Sequence, residues 1–177
     1  MATNSSPLGP DANKKLTELY ELIDQIEVAM FTTRREDGRL VSRAMQTQPP
    51  IEGADLWFVT DTDSHKLDEL AADPNVNLAY YRDRTREWVS VSGTAAVSQD
   101  RRAIHELWKP DWRAWFGDEG GSRDGGPDDP RLALILVDVE SVSYLKVDKP
   151  WPLVLFEVAK GAITGQRPDI GEVRHLG

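Results

Sequence analysis

The run W-F-V-T-D-T-D-S-H-K, Trp57 to Lys66, carries the clearest chemical signal in the chain. A strand ending at Thr60 is expected to lead through a short turn into a helix that begins at Ser64. Unpaired backbone N–H groups at a helix start hold anions. Ser64 adds a hydroxyl there, Lys66 a full positive charge on the first turn, and Thr60 a second hydroxyl at the strand end. A phosphate seated among them would gain several charge-assisted hydrogen bonds. The same residues also read as ordinary ones: a strand-end hydroxyl, a helix cap and a solvated cation.

The second signal is Val41-Ser42-Arg43-Ala44-Met45. Strand periodicity puts Arg43 on the face of Val41 and Met45. A buried Arg needs a partner. A phosphate and a cross-strand carboxylate are both candidates, and the run on its own favours the carboxylate.

Other chemistries are poorly served. The 177 residues include no Cys, which removes disulfides, thiolate metal sites, iron–sulfur clusters and Cys nucleophiles. The three His, at 65, 105 and 175, have no metal-ligand spacing, so no metal centre is expected. There is no Gly-rich phosphate loop and no G-x-S-x-G elbow. Lys and Arg number 21 against 30 Asp and Glu, a net charge of −9. Such acidity argues against nucleic acid or an anionic membrane as partner. No segment approaches the ~20 apolar residues of a membrane span. The opening MATNSSPLGPDANKK lacks the apolar core of a signal peptide. A cytoplasmic protein is the expectation.

The elements that must position these residues follow from periodicity and punctuation. Lys14 to Gln25 reads as a helix with Leu16, Leu19, Tyr20, Ile23 and Ile26 on one face. Val28 to Thr33 reads as a strand, and Asp37-Gly38 as the turn of a hairpin to Leu40–Gln48. Asp55–Thr60 is a third strand, and a helix capped by Asp63 or Ser64 runs to Asp73-Pro74. Asn75–Tyr81 and Trp88–Val97 are strands, the latter alternating Val89 and Val91 with Ser90 and Ser92. Asp100 caps a helix that Pro110 ends, before the aromatic cluster Trp112, Trp115 and Phe116. Gly117–Pro130 reads as a loop whose acidic part, Asp118 to Asp129, is solvated. Arg131–Val147 alternates as a long strand, and Leu153–Thr164 reads as a last helix. Residues 1–13 are expected as a flexible arm, 14–167 as one domain, and 168–177 as a tail. Strands joined by hairpins and short helices favour an antiparallel barrel or sandwich over a parallel sheet, a mainly β, α+β class.

Arg43-Ala44-Met45, a hairpin, Trp57-Phe58-Val59-Thr60, three residues and then Ser64-His65-Lys66 resemble the FMN-binding pattern of the pyridoxamine 5′-phosphate oxidase-like split barrels. The general stress protein 26 branch is the nearest in pattern. Ala71 to Ala79, Trp88 to Ala95, Leu107 to Phe116 and Ala159 to Gly165 are similar to it as well, so the resemblance spans Leu16 to Arg167.

The resemblance implies a six-stranded antiparallel Greek-key split β-barrel that forms a homodimer with FMN at the subunit interface. Arg43 and Lys66 would hold the phosphate, joined by Ser64 and His65. The backbone around Ala44, Met45, Val59 and Thr60 would face the ring or ribityl chain. Trp108 or Trp115 of the other subunit would cover the ring, although Trp in such clusters also serves core and dimer contact. The oxidase's C-terminal basic and aromatic motif has no counterpart here: the chain ends Glu172-Val173-Arg174-His175-Leu176-Gly177, and Gln46 and Thr47 follow Met45. Vitamin B6 oxidation is therefore not expected. Two functions remain: an FMN-dependent redox enzyme drawing electrons from a reduced nicotinamide, or a flavin-binding stress protein without turnover. FAD, haem or deazaflavin stand as alternative cofactors.

Overall fold

The computed structural model describes residues 10–147, positions 153, 156, 160 and 165, and residues 171–176. Helix α1 spans Pro10–Ile26, followed by strands β1 (Val28–Arg34), β2 (Leu40–Gln46) and β3 (Leu56–Asp61). Helix α2 (Lys66–Ala72) precedes β4 (Asn75–Arg82) and β5 (Glu87–Ser98). Short helices α3 (Arg101–Leu107) and α4 (Trp112–Phe116) lead to β6 (Leu132–Lys146) and β7 (Glu172–Leu176). The last expected helix has only positions 153, 156 and 160 within the described residues, and all three are helical.

All pairings are antiparallel, in the order β2-β1-β4-β5-β6-β3, with β7 added on β6. This is the expected split barrel, with two differences. There are seven described strands rather than six, because Glu172–Leu176 pairs with Val142–Lys146 instead of trailing as a tail. The link from β2 to β3 is not a hairpin: β3 pairs with β6, and the sheet stays open between β2 and β3. One backbone bond near the opening, Gln48 N–H to the Trp57 carbonyl at 3.1 Å, ties the two sides.

Alternation explains the curl. Ala29 and Phe31 of β1, Leu78 and Tyr80 of β4, and Val89 and Val91 of β5 all turn inward and are buried. They meet Leu56 and Phe58 of β3 and Ile135 and Val137 of β6 in one core. Phe31 and Phe58 pack edge to face across it, with ring centroids 5.2 Å apart. Leu19, Leu22 and Ile23 of α1 and Leu70 of α2 join the same core. The first half of β6 is buried on both faces. Its outer residues Leu132 and Leu134 pack with Trp57, Ile104 and Trp112 in a second cluster under α3 and α4.

Two details set the shape. At Gly93 the β5–β6 register shifts: Ser92 opposes Ser141, but Gly93 opposes Val139. The bulge presses the chains together, and a Cβ on Gly93 would lie 2.1 Å from the Asp138 carbonyl oxygen. The loop before β6 differs from its expectation as a solvated segment. Asp129 is fully buried and Arg131 nearly so, paired at 2.7 Å. The Asp129 carboxylate also accepts the Gly125 N–H at 2.7 Å, while the Arg131 guanidinium donates to the carbonyls of Phe116 and Gly117.

Gly93→Ala is expected to cost about 1–3 kcal/mol, the usual range for overpacking, because Asp138 backbone rather than a flexible side chain must yield. Urea unfolding at constant m-value measures it. Acid should loosen the loop in a defined window. Burial would raise the Asp129 pKa, but hydrogen bonds from Arg131 and the Gly125 N–H, with the Arg131 charge, hold it down at about 2, against an ordinary 3.8. That stabilisation is complete above the ordinary value and is lost as pH falls toward 2. In Asp129→Asn this acid slope should disappear from the pH dependence of unfolding.

Candidate functional site

The open edge between β2 and β3 is filled by polar groups. Arg43 of β2 points to the inner side, as its strand position requires, and meets the carboxylate of Glu69 on α2. Its Nη2 donates to Oε1 and Oε2 of Glu69 at 2.9 and 2.8 Å, and its Nη1 to Thr33 Oγ1 at 2.8 Å. Thr33, fully buried on β1, donates in turn to Glu69 Oε2 at 2.6 Å. Burial would raise the Glu69 pKa, yet the bonds from Thr33 and Arg43 and the Arg43 charge hold it below the ordinary carboxylate value. The partner of Arg43 is thus a carboxylate, supplied by a helix rather than a neighbouring strand.

Lys66 lies one helical turn before Glu69 and projects to the same side. Its Nζ donates to Thr60 Oγ1 at 2.6 Å. Burial lowers the Lys66 pKa, Arg43 lowers it further, and Asp61 and Glu69 oppose the shift. Lys66 and Thr60 both line a cavity of about 410 Å³. Met45, Val59, Trp112, Trp115 and Phe116 form its apolar wall. Trp112 is buried, packs edge to face on Trp57 with centroids 6.2 Å apart, and has an indole N–H with no hydrogen-bond partner. Trp115 is 82% exposed, a large unpartnered ring beside the opening.

Of the residues singled out in the sequence, Ala44, Met45, Val59, Thr60, Lys66 and Trp115 line this cavity together. Arg43 does not line it and stands behind Lys66 on Glu69. Ser64 and His65 are on the adjoining turn, outside the lining. The His65 side chain is 95% exposed, with Nδ1 4.0 Å from the Asp68 carboxylate. The expected cap is absent: α2 begins at Lys66, His65 occupies the capping position, and no side chain bonds the helix start. The Ser64 carbonyl takes the Leu67 N–H instead, at 3.0 Å. Trp108 is not among the residues that line the cavity. Its indole N–H donates to the Gly125 carbonyl at 3.0 Å, and the Arg113 guanidinium sits 5.9 Å from its ring centroid.

Glu69 was not foreseen. The signal was present in K-L-D-E-L, where an acidic residue directly precedes Leu70 on the buried side of a short helix. Trp112 and Phe116 were visible as an aromatic cluster, but nothing local pointed them toward Lys66.

The sequence and the fold both have relatives. A family model described as pyridoxamine 5′-phosphate oxidase like matches residues 14–169. Protein bli-3 of Neurospora crassa is 35% identical over 167 residues, covering 93% of this chain and 80% of the relative. A crystal structure from Jannaschia sp. CCS1, described as general stress protein 26, superposes with a TM-score of 0.69 at 25% identity, covering 93% of this chain and 98% of its own. A pyridoxamine 5′-phosphate oxidase-related, FMN-binding protein of Nostoc punctiforme gives a TM-score of 0.61 at 22% identity, over 79% and 85% of the two chains.

The Arg43–Glu69 pair is open to a double-mutant cycle. Glu69→Leu strands a largely buried guanidinium and should cost about 3–5 kcal/mol in denaturant unfolding. Arg43→Met with Glu69→Leu, which removes both charges, should recover most of that loss. A double-variant loss equal to the sum of the Arg43→Met and Glu69→Leu losses would mean that the two groups are not coupled.

Proposed function

This chain belongs to the pyridoxamine 5′-phosphate oxidase-like family, and from that premise we propose that it binds FMN in the cavity between Lys66 and the tryptophans and acts as a homodimeric flavin redox protein. The observation that carries the reading is a cavity of about 410 Å³ whose lining joins an amine hydrogen-bonded to a hydroxyl, two carboxylates, and an apolar, aromatic set of side chains. That donor set suits a molecule with a phosphate at one end and a flat ring system at the other. Lys66 Nζ and Thr60 Oγ1 would hold the phosphate, and Trp112, Phe116 and Met45 would flank the ring. The buried Trp112 indole N–H, without a hydrogen-bond partner among the described residues, is a donor such a ligand could satisfy.

A bound flavin supplies hydride and single-electron chemistry that no side chain here possesses. The chain's own work is to bind, orient and exclude water. Arg43, neutralised by Glu69, holds α2 so that Lys66 faces the cavity. Asp61, Lys66 and Asp111 are the titratable groups of the lining. No His stands among them, which suits electron transfer from a reduced nicotinamide, since hydride donation needs no general acid or base.

The dimer is supported by one surface. Val28 and Met30 are each 45% exposed on the outward side of β1. Met30 is flanked by Ala44 on β2 and Ala79 on β4, both exposed. Val28 and Ala44 also line the cavity, so a second copy seated here would close it.

The reading is tested by recording the visible spectrum of protein purified without added flavin, then titrating the apo form with FMN, FAD and riboflavin. FMN should bind more tightly than riboflavin. Lys66→Ala should lose about 1.5–3 kcal/mol of FMN binding, the value of a hydrogen bond to a charged group, while Lys146→Ala should lose none. FMN affinity should fall as pH rises through the depressed Lys66 pKa, and riboflavin affinity should not. Binding of neither flavin would end this reading. Met30→Asp should shift light scattering from dimer toward monomer and weaken FMN binding with it. With FMN bound, NADH or NADPH oxidation no faster than with free FMN would favour a binder over an enzyme.

A further inference from the structure

A line of alternating charges connects the interior to the turn that carries Lys66. It starts at the buried Asp129–Arg131 pair. Arg131 Nη1 is 2.9 Å from Glu119 Oε1, and Glu119 Oε2 receives Arg123 Nε at 2.7 Å. Arg123 Nη2 then reaches Asp63 Oδ2 at 2.7 Å, 60 positions away along the chain. Arg123 is presented by a tight turn in which the Glu119 N–H donates to the Arg123 carbonyl at 2.7 Å and the Arg123 N–H to the Gly120 carbonyl at 3.2 Å. A second tie runs parallel: the Thr62 N–H donates to the Arg131 carbonyl at 2.8 Å.

The line ends where charge matters. Among the cavity-lining residues Lys66 is the one cation, and Asp61 stands beside it. Arg43 is already neutralised by Glu69. Asp61 and Asp111 already line the cavity, and an unpartnered Asp63, on the turn between Asp61 and Lys66, would add a further negative charge nearby. An isolated surface ion pair would do little to prevent that. Arg123 is better placed, because it serves two carboxylates and its line terminates in a pair that water does not reach.

We propose that Arg123 is a positioning residue for the anion end of the cavity, neutralising Asp63 and strapping the Asp61–Lys66 turn to the buried Asp129–Arg131 pair. Its ligand rests on the FMN reading above; the strap itself does not. Two readouts on the full-length chain keep them apart. Hydrogen exchange of the ligand-free protein reads the strap: in Arg123→Ala the amides of 62–66 should exchange about fivefold or more faster, and Arg123→Lys should keep most of the protection. Unchanged exchange in Arg123→Ala overturns the strap. Paired FMN and riboflavin titrations read the anion end. Arg123→Ala should lower the FMN-to-riboflavin affinity ratio about tenfold while riboflavin stays within about twofold, and should add less than about twofold on top of Asp63→Asn. FMN and riboflavin weakened equally would mean a merely structural residue and overturns the positioning role. If the wild-type protein binds neither flavin, the FMN reading fails, and the exchange data alone uphold or overturn the strap. Arg102→Ala, which breaks the exposed Arg102–Glu106 pair, is the control and should change neither readout.

Discussion

The open end of the barrel depends on one ion pair largely withdrawn from water, Arg43 with Glu69. Two charges taken into a low-dielectric interior cost several kcal/mol each unless their geometry is good and their remaining atoms are bonded. Here the carboxylate receives the guanidinium on both oxygens and the Thr33 hydroxyl on one of them. The three groups come from β1, β2 and α2, and together they tie α2 to the β1–β2 pair that borders the open side of the sheet. An apolar plug could have filled the same volume. It would have given α2 no directional bond, whereas Glu69 holds Arg43 and Thr33 while Lys66, one turn earlier on the same helix, donates to Thr60.

The cavity lies where two cores meet. Met45 and Thr60 belong to the barrel side, whereas Trp112 and Phe116 belong to the cluster built on Trp57, Leu132 and Leu134. β3 and β6 make the boundary, since each buries residues on both faces. A site at such a boundary inherits rigidity from both sides. Its apolar wall is fixed by tryptophan packing and its polar end by the barrel's ion pair.

Charge at the site is managed by pairing rather than by excess. The chain is acidic overall, at −9, and cannot rely on a basic surface to attract an anion. Glu69 cancels Arg43, Arg123 answers Asp63, and among the described residues Lys66 has a hydroxyl as its one hydrogen-bond partner. The amine is the local feature an anion would meet, half-withdrawn from solvent and therefore less screened than a surface lysine.

Much of the fold was legible because its signals are short in range. Val89 and Val91 against Ser90 and Ser92 defined β5, Asp37-Gly38 defined the first hairpin, and Asp100 caps α3 through the N–H groups of Arg102 and Ala103 as its position suggested. The run from Thr60 to Lys66 disclosed an amine and a hydroxyl at a strand-to-helix turn. Apart from one local helix cap, the differences concern partners distant in sequence. A turn residue and a capping residue look alike until the chain chooses, so a cap by Asp63 or Ser64 is expected from the sequence and does not form. Asp129 looked solvated because nothing nearby reveals that Arg131 would fold inward with it. Glu172–Leu176 looked like a tail because its strand partner lies about 30 residues upstream. Periodicity and punctuation, which act over a few residues, determined the elements and nominated Lys66. Which carboxylate Arg43 meets, which aromatic rings share a cavity with Lys66 and which strand is added on β6 were decided only by tertiary structure, since burial and charge pairing are settled between segments and leave no local trace.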